Sequence, residues 1–269
     1  MIAAASALAA QDAEPRPWMA IPKEAPLYSI DVECVATGTG HNDRYVGRIA
    51  MVNEKEECVF DVVVDPIKEG VHVESYLEPL TGLNKGLCDA GVSLSTAISQ
   101  LKSALPTTAV LVGQGIEHDI AWCKLAAGAD FHSFVNIADI FKTRLPHKLN
   151  SADCSVRPGQ SPRYRFFSLR HTCQQLLSID MQAADHNPIA DAAYSMRLFH
   201  RYRNMEGYGL RAVRDSIART VPTPSFAETT PVIEGVAMGR AAYKSKWNAR
   251  FVWAWWCKWR KNARHARAV

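Results

Sequence analysis

Asp31 and Glu33 stand two residues apart in the apolar, β-branched run LYSIDVECVA. On a strand, that spacing sends both side chains to the same face. Two carboxylates in such surroundings repel one another and lose hydration unless a cation lies between them. Oxygen-only ligands suit magnesium or manganese. By itself the pair is also compatible with two solvated acids at a strand end. Asp119 follows the short apolar run AVLVG and the loop 114–118, which places it near the C-terminal end of a buried strand. Taken alone it reads equally as a helix cap. The third group is His186-Asn187-Pro188-Ile189-Ala190-Asp191. Asn187 is a good N-cap and Pro188 a good first helical residue. His186 then sits on the loop just before a helix, with Asp191 one turn inside it.

The ordered set Asp-x-Glu, Asp, His-x-x-x-x-Asp resembles the DEDDh class of three-prime-to-five-prime exonucleases, a class of ribonuclease-H-like α/β fold. The likeness extends through SIDVECVATGTG, GRIAMVNE, LTGL, LVGQGIEHDI, SLRHTCQQLL and HNPIADAAYSMRLF, and covers about residues 27–203. These flanks are most similar to the RNA exonuclease subfamily, which includes ribosomal-RNA-processing and interferon-induced enzymes. The resemblance implies that Asp31, Glu33, Asp119 and Asp191 hold two magnesium or manganese ions and that His186 is the general base. It also implies that Cys34, Val35 and Leu83 line the pocket for the terminal nucleotide. His118 reads as a neighbour or surface group, Asp185 as solvated and Asp139 as a cap. Arg165 and Arg170 are left out of the site as solvated arginines. The chain departs from the subfamily where methionine usually follows the first Glu and an arginine lies near the TGL loop; here those positions hold Cys34 and Leu77. Proteins tell RNA from DNA chiefly through the 2′-hydroxyl, so these departures weaken an RNA-only reading; the resemblance still implies a single-stranded nucleic-acid substrate, RNA ahead of DNA. A non-catalytic RNA-binding scaffold on the same fold is the rival, and the presence of all five chemical residues argues against it.

The elements that must position these groups can be read from periodicity. Residues 27–36, 44–53 and 57–65 are three successive strand candidates, an antiparallel meander. Ser93 or Ser95 can cap a helix that ends at Pro106. Residues 109–113 have the composition of a buried parallel strand. A helix from about residue 119, a strand at 134–137, a Pro-containing loop at 146–165 and helices near 168–178 and 188–203 complete the sequence of elements. The predicted fold is α/β: a mixed sheet, three antiparallel strands then parallel ones, flanked by helices.

Composition is that of a globular chain, 48% hydrophobic and 22% charged in 269 residues. The seven cysteines show no C-x-x-C spacing, which indicates neither a disulfide framework nor zinc and fits an intracellular protein. The apolar start, residues 1–10, lacks the positive region of a secretory signal. No run is long enough to span a bilayer. Charge is unevenly spread: from Met238 onward there are nine Lys and Arg and no acid, leaving the remainder at a net −5. The expected organisation is an extended lead-in at 1–26, the exonuclease domain at 27–205, a connecting segment and linker at 206–237, and a basic aromatic tail at 238–269. Drawn as a helix, that tail aligns Trp247, Phe251, Trp255 and Trp259. It could stack bases, lie on a membrane, fit a partner, act as a nuclear address or pack on the domain. The nucleus is favoured over the cytoplasm, and no membrane partner is expected.

Overall fold

The structure, a computed structural model, describes residues 16–22, 24–145, 163–181 and 187–239. Strands β1 (Leu27–Ala36), β2 (Arg44–Asn53) and β3 (Cys58–Val63) form the expected meander. Three helices come next: α1 (Glu78–Thr81), α2 (Lys85–Asp89) and α3 (Leu94–Ala104). Of the two candidate caps for α3, Ser93 is the one used, accepting from Thr96 N, and the helix closes just before Pro106. Then come β4 (Val110–Gly113), α4 (Glu117–Trp122), β5 (Ser133–Asn136) and α5 (Ile137–Phe141). Short strands β6 (Thr143–Arg144) and β7 (Tyr164–Arg165) pair with each other. Helices α6 (Leu169–Leu177), α7 (Pro188–Tyr202), α8 (Gly207–Arg219) and α9 (Phe226–Thr229), and the hairpin β8 (Val232–Ile233) and β9 (Val236–Ala237), complete the described chain.

The main sheet has the order β3-β2-β1-β4-β5, with β1 antiparallel to β2 and parallel to β4, and β4 parallel to β5. This is the mixed sheet expected from sequence. Alternation along β1 divides the core into two layers. Leu27 joins Val110, Val112 and the buried side of α7, including Met196 and Phe199. Ile30 turns the other way, to Leu111 and α3 residues Ile98 and Leu101. All four β4 residues are buried, as a central parallel strand covered on both faces requires.

Two segments carry more structure than their composition indicated. Within the lead-in expected to be extended, Pro17–Ala20 makes one 3-10 turn that buries Trp18 against the α7 layer. The stretch 206–237, expected as connector and linker, contains α8, with Leu210 and Ile217 buried, and the β8–β9 hairpin packed on Ala36 and Leu77. The basic tail lies outside the described residues from position 240 onward. Among the described residues, no helix is long and apolar enough to cross a membrane, and Cys34, Cys58, Cys88, Cys123 and Cys173 are free thiols.

Candidate active site

The acidic groups meet because one strand outruns its neighbour. Parallel pairing of β1 with β4 extends only from Leu27 with Val110 to Ser29 with Val112. Beyond Ser29, the β4-side edge of β1 has no strand to satisfy it. An unpaired backbone donor in a largely buried place is costly. Val32 N instead donates to Asp119 Oδ1 at 3.1 Å. The third residue of α4 thereby takes over where the ladder stops, and Asp119 is fixed beside the backbone that separates Asp31 from Glu33. The N-terminal residue of α4 is Glu117, and Asp119 reaches across from the first turn to β1.

Asp31 and Glu33 face the α7 side, the face shared with Leu27. There α7 begins under the predicted cap: Asn187 Oδ1 accepts from Ile189 N at 3.1 Å, and Pro188 occupies the first helical position. Asp191, in the first turn, points into the same space. Oxygens of Asp31, Glu33 and Asp191 lie within 4.8 Å of one another. At that separation two unit charges repel by roughly 3.5 kcal/mol for an effective dielectric near 20, so three ionised groups cannot share the site uncompensated. Arg48, opposite Glu33 on β2, makes a bidentate pair with Asp61 at 2.7 and 2.8 Å and is held charged by Glu33 as well. Consistent with this crowding, burial, reinforced by Asp119, Glu33 and Asp191, raises the Asp31 carboxyl well above its usual range. Burial raises Asp119 to about 7, opposed by the hydrogen bond from Val32. A divalent cation would relieve both effects, and the all-carboxylate donor set fits a hard ion of the magnesium or manganese type.

The expected nucleotide-pocket residues are arranged differently from one another. Cys34 follows Glu33 and is partly exposed, while Val35 and Leu83 are fully buried and pack together with Cys88. Their side chains set the shape behind Cys34 rather than offering surface. Gly47 makes this packing possible at the irregularity where β2 skips a residue opposite Glu33 and Cys34. A Cβ there would lie 2.5 Å from Leu83 Cδ1 and 3.1 Å from Val35 Cγ1. Leu77 is buried under the β8–β9 hairpin at φ +54°, with Ile233 and Val236 against it. Of the neighbours set aside, His118 is exposed, Asp139 pairs with Lys142 at 2.9 Å after the cap Asn136, and Arg170 pairs with Asp180 at 3.2 Å. Arg165 donates to Ala218 O at 3.3 Å. His186 and Asp185 lie outside the described residues. The hairpin is the site-adjacent feature missed in the sequence, where only the alternation in PVIEGVAM around Glu234-Gly235 could have signalled it.

A mixed sheet of this order, with Asp31 and Glu33 of β1 beside Asp191 at the start of α7 and Asp119 held against the same strand, is the arrangement expected from the motif resemblance. Known proteins agree with the resemblance read from the motifs. The chain is similar to RNA exonuclease 4 of Candida glabrata, 25% identical over 171 residues that make up 64% of this chain and 57% of the relative. It is 32% identical over 106 residues to human RNA exonuclease 5, or 39% of this chain and 13% of that protein. Mouse interferon-stimulated 20 kDa exonuclease-like 2 is 26% identical over 183 residues, 66% of this chain and 45% of the relative. The chain therefore spans little more than half of the first of these relatives and less of the others. No family model matches it. Among solved structures, the Pan2 catalytic unit of Neurospora crassa shares the fold with a TM-score of 0.55 at 18% identity, over 75% of this chain and 31% of that one. The Saccharomyces cerevisiae Pan2 module in complex with A7 RNA gives 0.55 at 20%, over 73% and 32%.

Proposed function

We propose that the protein is a metal-dependent three-prime-to-five-prime exonuclease acting on single-stranded nucleic acid, RNA ahead of DNA. The observation that carries this reading is the convergence of Asp31, Glu33 and Asp191 oxygens within 4.8 Å, with Asp119 bound to the intervening backbone. Similarity to proteins named RNA exonucleases supports the chemistry and favours RNA.

Asp31, Glu33, Asp119 and Asp191 would hold two magnesium or manganese ions. When bound, such ions supply positive charge to a phosphate in displacement and acidify an attacking water. The carboxylates orient that chemistry because they project from three elements, Asp31 and Glu33 from β1, Asp119 from α4 and Asp191 from α7, with both helices packed against β1. His186, which the resemblance places as the general base, would accept the proton of the water. An unperturbed imidazole pKa of about 6.5 suits a base at neutral pH. Cys34, backed by Val35 and Leu83, borders the terminal nucleotide.

The test is a time course on matched 5′-labelled RNA and DNA oligonucleotides, with free or phosphorylated 3′ ends. The expected result is a ladder shortening from the free 3′ end with release of 5′-nucleoside monophosphates, faster on RNA. Binding without cleavage in any divalent ion would instead establish the scaffold reading.

A further inference from the structure

The β6–β7 ribbon is too short to hold itself together, since isolated two-stranded pairs are marginal even at full length. One of its faces is fixed to α8. Thr143 and Arg165 stand opposite one another, Thr143 with its hydroxyl buried. Arg165 donates to Ala218 O at 3.3 Å and lies over the Phe167 ring at 5.0 Å. From the same helix, Arg214 donates to Ile140 O at 2.8 Å and to Asp139 O at 3.3 Å, which secures the end of α5 that leads into β6. Strand alternation sends the second pair, Arg144 with Tyr164, to the opposite face. Lys142 joins them there, its Nζ 4.6 Å from the centre of the Tyr164 ring. Phe166, next after the ribbon, keeps 57% of its surface exposed. Residues 139–145 and 163–167 together contain four cations, Lys142, Arg144, Arg163 and Arg165, against the single acid Asp139.

Two ties place this ribbon at the acid-bearing end of the sheet. Gln114, the residue after β4, donates from Nε2 to Phe167 O at 3.0 Å, five positions before Asp119. Helix α6, capped by Ser168, then carries Cys173 past the start of α7: burial raises that thiol to about 12, and the Asp191 carboxylate adds to the effect. Phe166 is therefore held between a strand end that leads to Asp119 and a helix that runs beside Asp191. Cations that pair with phosphates, set among rings that stack on bases, suit a single strand of any sequence. We propose that the outer face of the ribbon, Lys142, Arg144, Tyr164 and Phe166, binds the single strand whose 3′ end lies among the carboxylates. It would supply the positive charge that the acidic site cannot offer to the internal phosphates. The occupant named here rests on the exonuclease reading, and the test below separates the two.

The test uses full-length protein in EDTA, where binding is read without cleavage, by fluorescence anisotropy of a 20-nucleotide single strand. Lys142→Gln with Arg144→Gln should flatten the slope of log K against log salt by about 0.7 per cation, about 1.4 for the pair, and weaken binding at low salt. Phe166→Ala should weaken binding about 5- to 100-fold with the slope unchanged, and Phe166→Trp should restore it, as stacking requires. In manganese, KM for labelled RNA should rise in step with Kd in the first two proteins. Unchanged affinity and slope in both would overturn the proposal. Equal losses in Phe166→Trp and Phe166→Ala would mark a structural role for the ring and overturn it too. A KM that stays at the wild-type value while Kd rises would overturn the path from ribbon to carboxylates. Wild-type protein that binds the strand but shortens none in any divalent ion would remove the exonuclease reading and leave the ribbon to be judged by affinity and slope.

Discussion

Asp119→Asn should make the metal-free protein more stable and the enzyme inactive. The native carboxyl is raised to about 7 by burial, against about 3.9 for an aspartate in an unfolded chain. Below pH 4 both states are protonated and the group contributes nothing to stability. As pH rises from 4 to 7 the unfolded chain releases the proton while the folded protein retains it, so stability falls. Above pH 7 the loss is complete. Three pH units at 1.36 kcal/mol each give roughly 4 kcal/mol, which interaction with Asp31 and local relaxation reduce to about 2–3. Asn presents the same Oδ1 to Val32 N and carries no charge, so it escapes this loss. At 2–4 °C per kcal/mol for a domain of this size, the variant should melt about 4–12 °C higher than wild type at pH 8 in EDTA, and at the same temperature near pH 4. Manganese should stabilise wild type and close the gap. Differential scanning fluorimetry across pH reads each of these shifts. A variant that melts lower than wild type at pH 8, or a gap independent of pH, would show that Asp119 is not a desolvated carboxylate in an acidic site.

Four other outcomes follow from the proposed function and the packing around the site. Glu33→Gln should abolish thermal stabilisation by manganese and lower kcat at least ~100-fold, a barrier increase of about 2.7 kcal/mol, measured on labelled RNA. His186→Ala should lower kcat about 10²–10⁴-fold while leaving manganese stabilisation intact, which separates a proton acceptor from a ligand. Gly47→Ala forces Leu83 and Val35 apart; overpacking of this kind costs about 1–3 kcal/mol, and KM for oligonucleotides should rise more than kcat falls. Ile233→Ala should loosen the hairpin from Ala36 and Leu77 at a cost of about 2–4 kcal/mol, seen as faster proteolysis after residue 225 without a change in the mid-chain fragments.

Much of the site was legible because its positioning is local. Asp31 and Glu33 share a face by strand alternation alone, and Asn187-Pro188 announces the start of the helix that carries Asp191. Ser93 and the composition of residues 109–113 likewise marked α3 and β4. Asp119 was placed at the right strand end, but its contact with Val32 depends on β4 ending where β1 continues, a tertiary register that no local pattern encodes. The burial of Val35 and Leu83 was hidden for a similar reason, since it requires the two segments to pack across Gly47. The β8–β9 hairpin escaped because two-residue strands among Pro and Thr have little periodicity; Ala36, Leu77 and Leu80, far away in sequence, supply much of the apolar surface that orders them. Trp18, buried from within a Pro-rich lead-in, makes the same point.

The most direct test of the acidic site is a crystal of the wild-type protein soaked in manganese and measured at the manganese absorption edge. Anomalous density is expected among the carboxylates of Asp31, Glu33, Asp119 and Asp191, lost in Asp31→Asn crystals treated alike. Manganese bound elsewhere, with these carboxylates bare in a protein that still shortens RNA, would contradict it.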